Sequence, residues 1–291
     1  LSIPGESVGL VSGIVTFGDT LILAYVSKGI VSSKLCLYDL KKDSVINEFV
    51  FEGFYISDLN LSGKNLSIIG TRIGAKRNET TEVLVYSLPN LKVPISRIYL
   101  SGYHGMGSGI YKAHDMKLIN LGNDSSYCVI TLQGKDTSLV LHYLEGFNPM
   151  RLREEYIDLK SEGVSRILSA QKYEERIFFI KETVDEYFVL TEIVRRSKGF
   201  QEVELYRSKK GFKMLFLNKE AIYLFSSYMG PVKLMANKDI VTLMDNPKPA
   251  YMDLVNTGFL KSGSNGFLYF RPYGREYGSE NFKVISFKKL F

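Results

Sequence analysis

Residues 13–51 read GIVTFGDTLILAYVSKGIVSSKLCLYDLKKDSVINEFVF. Four short apolar runs stand in this stretch: Ile14–Phe17, Leu21–Val26, Leu35–Leu40 and Val45–Phe51. Each is rich in β-branched, aromatic or leucine residues and each is too short for a stable helix. Gly18-Asp19, Lys28-Gly29 and Lys41-Lys42-Asp43-Ser44 separate them with residues that tolerate turn dihedrals or bond their own backbone. The stretch therefore predicts four strands joined by turns, an antiparallel meander.

The pattern returns along the whole chain. The onset of the second run recurs at Leu21, Leu66, Cys128, Ile177, Ile222 and Phe267, at intervals of 45, 62, 49, 45 and 45 residues. Third runs follow as KLCLYDL, EVLVYSL, SLVLHYL, YFVLTEI, VKLMAN and FKVISF, and five units show a fourth: VINEFVF, VPISRIYL, LREEYIDL, FQEVEL and IVTLM. A two-sheet sandwich or two smaller β-domains would use the same strands but would not need so constant a period. Six units of about this length resemble the β-propeller superfamily over essentially the whole chain. The resemblance implies an all-β fold, a six-bladed β-propeller of four-stranded antiparallel blades. One domain, 1–291, would hold blades at approximately 8–51, 54–100, 113–159, 164–205, 212–244 and 251–291. The sixth unit stops at Phe291 after its third run, so Leu1–Pro4 is expected to supply the missing strand and close the ring, removing an exposed edge. The likeness ends at period and strand pattern. Third runs end in YDL, YSL and HYL, the chain has no Trp to make the Trp-Asp ending of common interaction repeats, and the Asp-box of sialidases is missing.

Composition narrows the function classes. No linker or charge block divides the 291 residues, and a 45% hydrophobic, 13% aromatic chain has ample material for a core. No apolar run approaches the roughly 18 residues of a membrane span. A net charge of +6 is modest for a surface this large. The cations Arg195, Arg196, Lys198, Arg207, Lys209, Lys210 and Lys213 cluster in sequence, but the blade assignment sends the two halves to opposite faces, which argues against nucleic acid. The two cysteines, Cys36 and Cys128, sit in apolar strands two blades apart and are expected to be free buried thiols. Residues 1–13 lack a signal-peptide pattern although the chain starts at Leu1, which suggests a processed or excised segment. Sequons at Asn60, Asn65, Asn78 and Asn123 suit an extracellular or cell-surface protein, and also arise by chance in a chain with this much Ser and Thr.

The resemblance also implies where a site would lie. In a propeller the first strands line a central channel, and the loops leading into them share a face with those joining strands two and three. Just before the first runs stand Gly13, Asp58, Asp115, Arg166, Lys213 and Asp253. Asp58, Asp115 and Asp253 would be the acidic set of a carbohydrate-active hydrolase, with His104 or His114 assisting. As solvated strand ends they would do no chemistry. The longest departure from the period falls in Ser101–Lys112, SGYHGMGSGIYK, whose glycines have no following helix to make a phosphate site. Tyr103, His104, Tyr111 and His114 in or beside that loop, with Arg271, Tyr273, Arg275 and Tyr277 in RPYGREYGSE, form the expected binding surface, since Tyr and Arg are enriched at binding hot spots. The loop GAKRNETT, Gly74–Thr81, shares that face, and His142 reads as a packed strand residue. The leading expectation is a non-catalytic binding or scaffold propeller for a protein or glycan partner, a module of a larger assembly, with no metal and no cofactor; the alternative is the hydrolase.

Overall fold

The computed structural model describes residues 8–27, 32–73, 79–100, 116–121, 126–133, 138–146, 151–158, 163–174, 176–197, 199–209, 214–217, 222–226, 230–234, 240–242, 259–263, 266–270 and 282–286. Among the described residues every regular element is a strand.

The stretch that opened the sequence forms β1 (Val8–Phe17), β2 (Thr20–Ser27), β3 (Ser33–Asp39) and β4 (Ser44–Phe51), an antiparallel sheet in chain order. Phe17 pairs with Thr20 across Gly18-Asp19, and Gly18 sits at φ 57°, where a side chain would be strained. At the same end, Asp39 Oδ1 accepts the backbone N–H groups of Lys41 and Lys42, while Leu40 N–H donates to the Asp19 carbonyl.

The meander then repeats. The second sheet is β5 (Phe54–Ser62), β6 (Asn65–Ile73), β7 (Glu79–Ser87) and β8 (Ser96–Leu100). The third is β9 (Lys117–Asn120), β10 (Ser126–Gln133), β11 (Ser138–Glu145) and β12 (Arg151–Asp158). The fourth is β13 (Val164–Tyr173), β14 (Arg176–Thr183), β15 (Phe188–Arg196) and β16 (Gly199–Ser208). The fifth is β17 (Met214–Leu217), β18 (Ile222–Ser226), β19 (Gly230–Leu234) and β20 (Ile240–Thr242). Three strands make the last described sheet, β21 (Phe259–Gly263), β22 (Gly266–Phe270) and β23 (Phe282–Ser286). Leu1–Pro4, the expected closing strand, lies outside the described residues.

The first strands run beside one another, β1 against β5, β5 against β9, β9 against β13 and β13 against β17, and β21 meets β1. Alternate side chains of a strand point to opposite faces, so a sheet held between two others must be apolar at both parities. On β2, Leu21, Leu23 and Tyr25 enter one cluster, while Ile22 and Ala24 enter another with Phe54, Ile56, Leu59, Ile68 and Leu84 of the second sheet. Double-sided burial is why LILAY is a continuous apolar run and not an alternation. Equivalent cores join the second and third sheets around Ile69, Val83, Met116 and Leu118, the third and fourth around Cys128, Ile130, Ile167 and Phe179, and the fourth and fifth around Phe178, Ile180, Leu190 and Leu224. Burial fades outward, and β4 exposes Ile46, Asn47, Glu48 and Val50. Cys36 and Cys128 are buried in different clusters, and burial pushes the Cys128 thiol far above its ordinary range.

A shared irregularity marks the first strands. A bulge comes just before Gly13 opposite Ala24, Asp58 opposite Ile69 and Ser169 opposite Ile180, the same register position in three sheets. Arg166, expected in line with Asp58, instead pairs with Glu182 one bulge earlier. Counted from the hairpins, that position falls on Met214 in β17 and Phe259 in β21, so Lys213 precedes it and Asp253 lies farther upstream.

Candidate functional site

At one end of each sheet the first and third strands begin and the second and fourth end. In the second sheet this end carries a cluster built around a buried acid. Alternation along β7 puts Glu82 on the same face as Leu84 and Tyr86, which belong to the core shared with the first sheet. Glu82 is accordingly only 1% exposed. A carboxylate in that position must be paired, because an isolated buried charge is heavily penalised. Arg72 of β6 supplies Nε at 2.8 Å from Oε1 and Nη2 at 3.5 Å from Oε2; Arg97 of β8 brings Nε to 3.6 Å from Oε2, and the Thr80 hydroxyl lies 3.5 Å from Oε1.

Aromatic rings support these cations. The Arg72 guanidinium stands 5.2 Å from the Phe54 ring centroid. Phe54 in turn meets Phe51 of the first sheet at 6.1 Å, and Phe51 meets Tyr86 edge-on at 6.1 Å. Phe54 has this place because residue 70 is glycine: a Cβ there would lie 2.2 Å from the Tyr55 carbonyl oxygen and 2.6 Å from Phe54 Cζ. A hydrogen bond to Tyr99 holds the Arg97 pKa above its ordinary value, and burial pushes the Tyr86 hydroxyl up. Two guanidinium groups thus share one buried carboxylate, and Arg72, Arg97 and Tyr99 stay open to solvent at 37%, 43% and 56% exposure. The arrangement suits binding an anionic or hydrogen-bonding group; it offers no acid and base for proton transfer.

Of the acidic set, Asp58 is the one member among the described residues. Its Oδ1 accepts the N–H of Leu59 and its Oδ2 the N–H of Leu118 on β9, each at 2.9 Å. Asn60 Nδ2 donates to the Leu118 carbonyl oxygen at 3.3 Å. Two side chains of β5 thereby satisfy both backbone groups of one residue on the neighbouring first strand, and Lys172 of β13 does similar work at the Leu121 carbonyl, 2.7 Å away. Asp58 is an edge staple in this geometry, and the same bond occupies the nitrogen that a glycan on Asn60 would need. Asp115, Asp253, Tyr103, His104, Tyr111, His114, Arg271, Tyr273, Arg275 and Tyr277 lie outside the described residues. Among the described residues, β6 and β8 end at the end of the second sheet where the Arg72–Glu82–Arg97 cluster sits, and β22 ends at the corresponding end of the last sheet.

His142 is a packed strand residue, 2% exposed, with Nδ1 3.0 Å from Glu154 Oε1. Burial lowers its pKa in spite of the neighbouring carboxylate. Among the described residues no group of His, Cys, Asp and Glu converges as a metal site, and no helix is long and apolar enough to cross a membrane. Arg195 stacks on Phe200 beside the β15–β16 turn, while Arg207 and Lys209 flank Tyr187 at the opposite end of that sheet. The described members of the basic run are split in space. Arg72, Glu82 and Arg97 went unread in the sequence, although one signal was there: in ETTEVLVYS an acid holds an inward parity and so requires a cation nearby.

Comparison with solved structures gives this fold its class. Over 97% of its length the chain is similar to 86% of the β-propeller domain of the Trilobed protease from Pyrococcus furiosus, a domain with an open velcro topology, at TM-score 0.53 and 12% identity. It also resembles a prolyl endopeptidase structure (TM-score 0.52, 8% identity, 90% of this chain and 39% of that one) and a chain of the mitotic checkpoint complex (TM-score 0.51, 11% identity, 93% and 73%). The chain is similar in structure to β-propeller domains, with four-stranded antiparallel sheets that resemble their blades. No family model and no curated protein matches its sequence. A fold shared between endopeptidases and a checkpoint assembly assigns no chemistry by itself.

Proposed function

We propose that this chain is a six-bladed β-propeller, closed by Leu1–Pro4 pairing as the fourth strand of the last sheet, and that it acts as a non-catalytic binding module for a protein or glycan partner. The observation that carries the reading is the Arg72–Glu82–Arg97–Tyr99 cluster, in which solvent-open Arg and Tyr side chains are held in place by a buried acid and a ring. The contact of β21 with β1 supports closure. A glycoside hydrolase needs two carboxyl groups about 5–10 Å apart with unequal affinities for a proton. Asp58, with both oxygens accepting backbone N–H groups, suits a staple better than either role.

The intact chain, applied to glycan and peptide arrays alongside chromogenic aryl glycosides, is expected to bind saturably without turnover. Glycoside cleavage abolished by Asp115→Asn or Asp253→Asn would replace binding with hydrolysis. Removal of residues 1–4 is expected to lower the melting temperature, and an unchanged melt would sink the closure.

A further inference from the structure

We propose that the edge of β8 is a docking strip for an extended partner segment of the pattern apolar-x-acidic-x-apolar, which adds to the second sheet as a further strand. The proposal rests on the binding reading above and gives its partner a chemistry. β8 pairs with β7 and with no other strand among the described residues, so one row of its backbone N–H and C=O groups has no ladder partner there. Every fourth strand shares that property. What sets β8 apart is the row of side chains along it.

Arg97 and Tyr99 lie on one face of β8, the face that also carries Glu82, and Ile95 stands just ahead of the strand with its N–H bonded to the Val85 carbonyl oxygen at 2.7 Å. Ile95 and Tyr99 are 46% and 56% exposed, an unusual display of apolar area at two positions flanking a cation. Val93, 67% exposed, extends the strip beyond the strand. The charge has one sign. Arg97 and Arg72 outnumber Glu82, and Glu82 is already buried between them. Arg97 is the looser of the two, 3.6 Å from the acid against 2.8 Å for Arg72, and it stands on the edge strand itself. β4 is the instructive contrast. It too exposes Ile46 and Val50, but its charged side chain is Glu48, which already accepts the Tyr25 hydroxyl at 2.8 Å. A strand laid along β8 puts every second side chain opposite one of this row. An acid opposite Arg97 can take two guanidinium N–H groups at once, while apolar neighbours two residues to either side cover Ile95 and Tyr99. A basic segment meets surplus positive charge instead.

The test uses the intact chain and a fluorescein-labelled seven-residue peptide with Glu at its centre, Val two residues to either side and Thr elsewhere. Its counterparts carry Lys at the centre, or N-methyl groups on alternate amides. The Glu peptide is expected to bind at least about tenfold tighter than either counterpart, and Arg97→Gln to weaken it about tenfold. Arg153→Gln on β12 should leave its affinity unchanged, with circular dichroism confirming that both variants fold. Equal binding of the Glu and Lys peptides, indifference to Arg97→Gln, or no binding of the Glu peptide overturns the proposal. Undiminished binding of the N-methylated peptide overturns strand addition. Array binding that ignores Arg97→Gln removes this strip while leaving the binding reading intact; absence of any array ligand removes both.

Discussion

The second and fourth sheets fill the same space in opposite ways. Phe54 pairs with Arg72 where β5 begins, and Val164 pairs with Thr183 where β13 begins, so these are equivalent positions. Two residues back along the second strand stand Gly70 in one sheet and Lys181 in the other. In the second sheet the first strand provides a ring, the second strand gives up its side chain, and the cation is displaced outward onto the ring. In the fourth, a small first-strand residue leaves room for a long cation from the second strand. Lys181 is 5% exposed and ion-paired with Glu202, whose Oε1 lies 3.4 Å from the Thr191 hydroxyl. One frame thus keeps its cations at the surface and the other seals its cation inside. Only the first arrangement leaves cations available to a partner.

The sharpest way to break this comparison is to give the second sheet a side chain at residue 70. Gly70→Val would place Cβ 2.2 Å from a backbone oxygen and 2.6 Å from the Phe54 ring, and a backbone oxygen cannot swing aside. The expected loss is on the order of 4 kcal/mol in urea unfolding. Adding Phe54→Val, which copies the fourth sheet's small residue, should restore only the part due to the ring. A loss below about 1 kcal/mol for the single variant would mean that the ring is not held as described.

Next in size is the sealed pair. Glu202→Gln leaves Lys181 charged, buried and without its carboxylate, at an expected cost of about 3 kcal/mol. Lys181→Met with Glu202→Leu removes both charges and should come out close to the native stability. The surface cluster should behave otherwise: Arg97→Gln leaves Glu82 with Arg72 at 2.8 Å, and the melting temperature should fall by no more than a few degrees. If the double replacement costs as much as Glu202→Gln alone, packing and not charge explains the fourth sheet.

The repeat was legible because every blade-like sheet needs the same four runs, and double-sided burial writes them as uninterrupted apolar segments such as LILAY. The first turn was legible at Gly18, whereas Asp39, which accepts the N–H groups of the turn between β3 and β4, stands inside the run Leu35–Leu40. What the chain order hid were the compensations across strands. Nothing in TRIGAK alone says that Arg72 will sit on Phe54, since that depends on Gly70 and on register. Arg166 stands three residues before the position that matches Asp58, because a charged residue just ahead of an apolar run marks the run and not its register. Asp58 drew attention as a carboxylate near a channel, yet its partner is a backbone group on another sheet, which sequence cannot display.

Acid should separate the halves of the molecule. The Arg72–Glu82–Arg97 cluster contains no histidine. The third sheet contains His142, whose pKa burial holds below 6.5, more than offsetting the pull of Glu154. The unfolded chain therefore takes up the proton first, so stability falls as the pH drops below about 6.5, the unfolded value, until the folded histidine also protonates. The urea midpoint should decline between about pH 7.5 and pH 5.5, and His142→Gln should flatten that slope. A slope that survives the substitution assigns the acid sensitivity elsewhere.

The smallest effect concerns the far end of the same two sheets, where the first hairpin turns. Gly63 follows Ser62 at φ 55°, and Glu174 follows Tyr173 at φ 52° in the equivalent place, as Gly18 does in the first sheet. A side chain in this left-handed region costs about 1–2 kcal/mol, of which glycine's greater freedom in the unfolded chain takes back roughly 0.5–1. Glu174→Gly should therefore raise stability by about 0.5–1 kcal/mol, less a small loss from the attraction between Glu174 and Arg176. Gly63→Glu makes the reverse exchange in the second sheet and should cost about the same amount. Equal and opposite shifts in the two urea midpoints would show that the sheets share their turn as well as their strands. If Glu174→Gly destabilises, the glutamate is held by its contacts strongly enough to outweigh the backbone, and the fourth sheet has departed from the repeat at both ends.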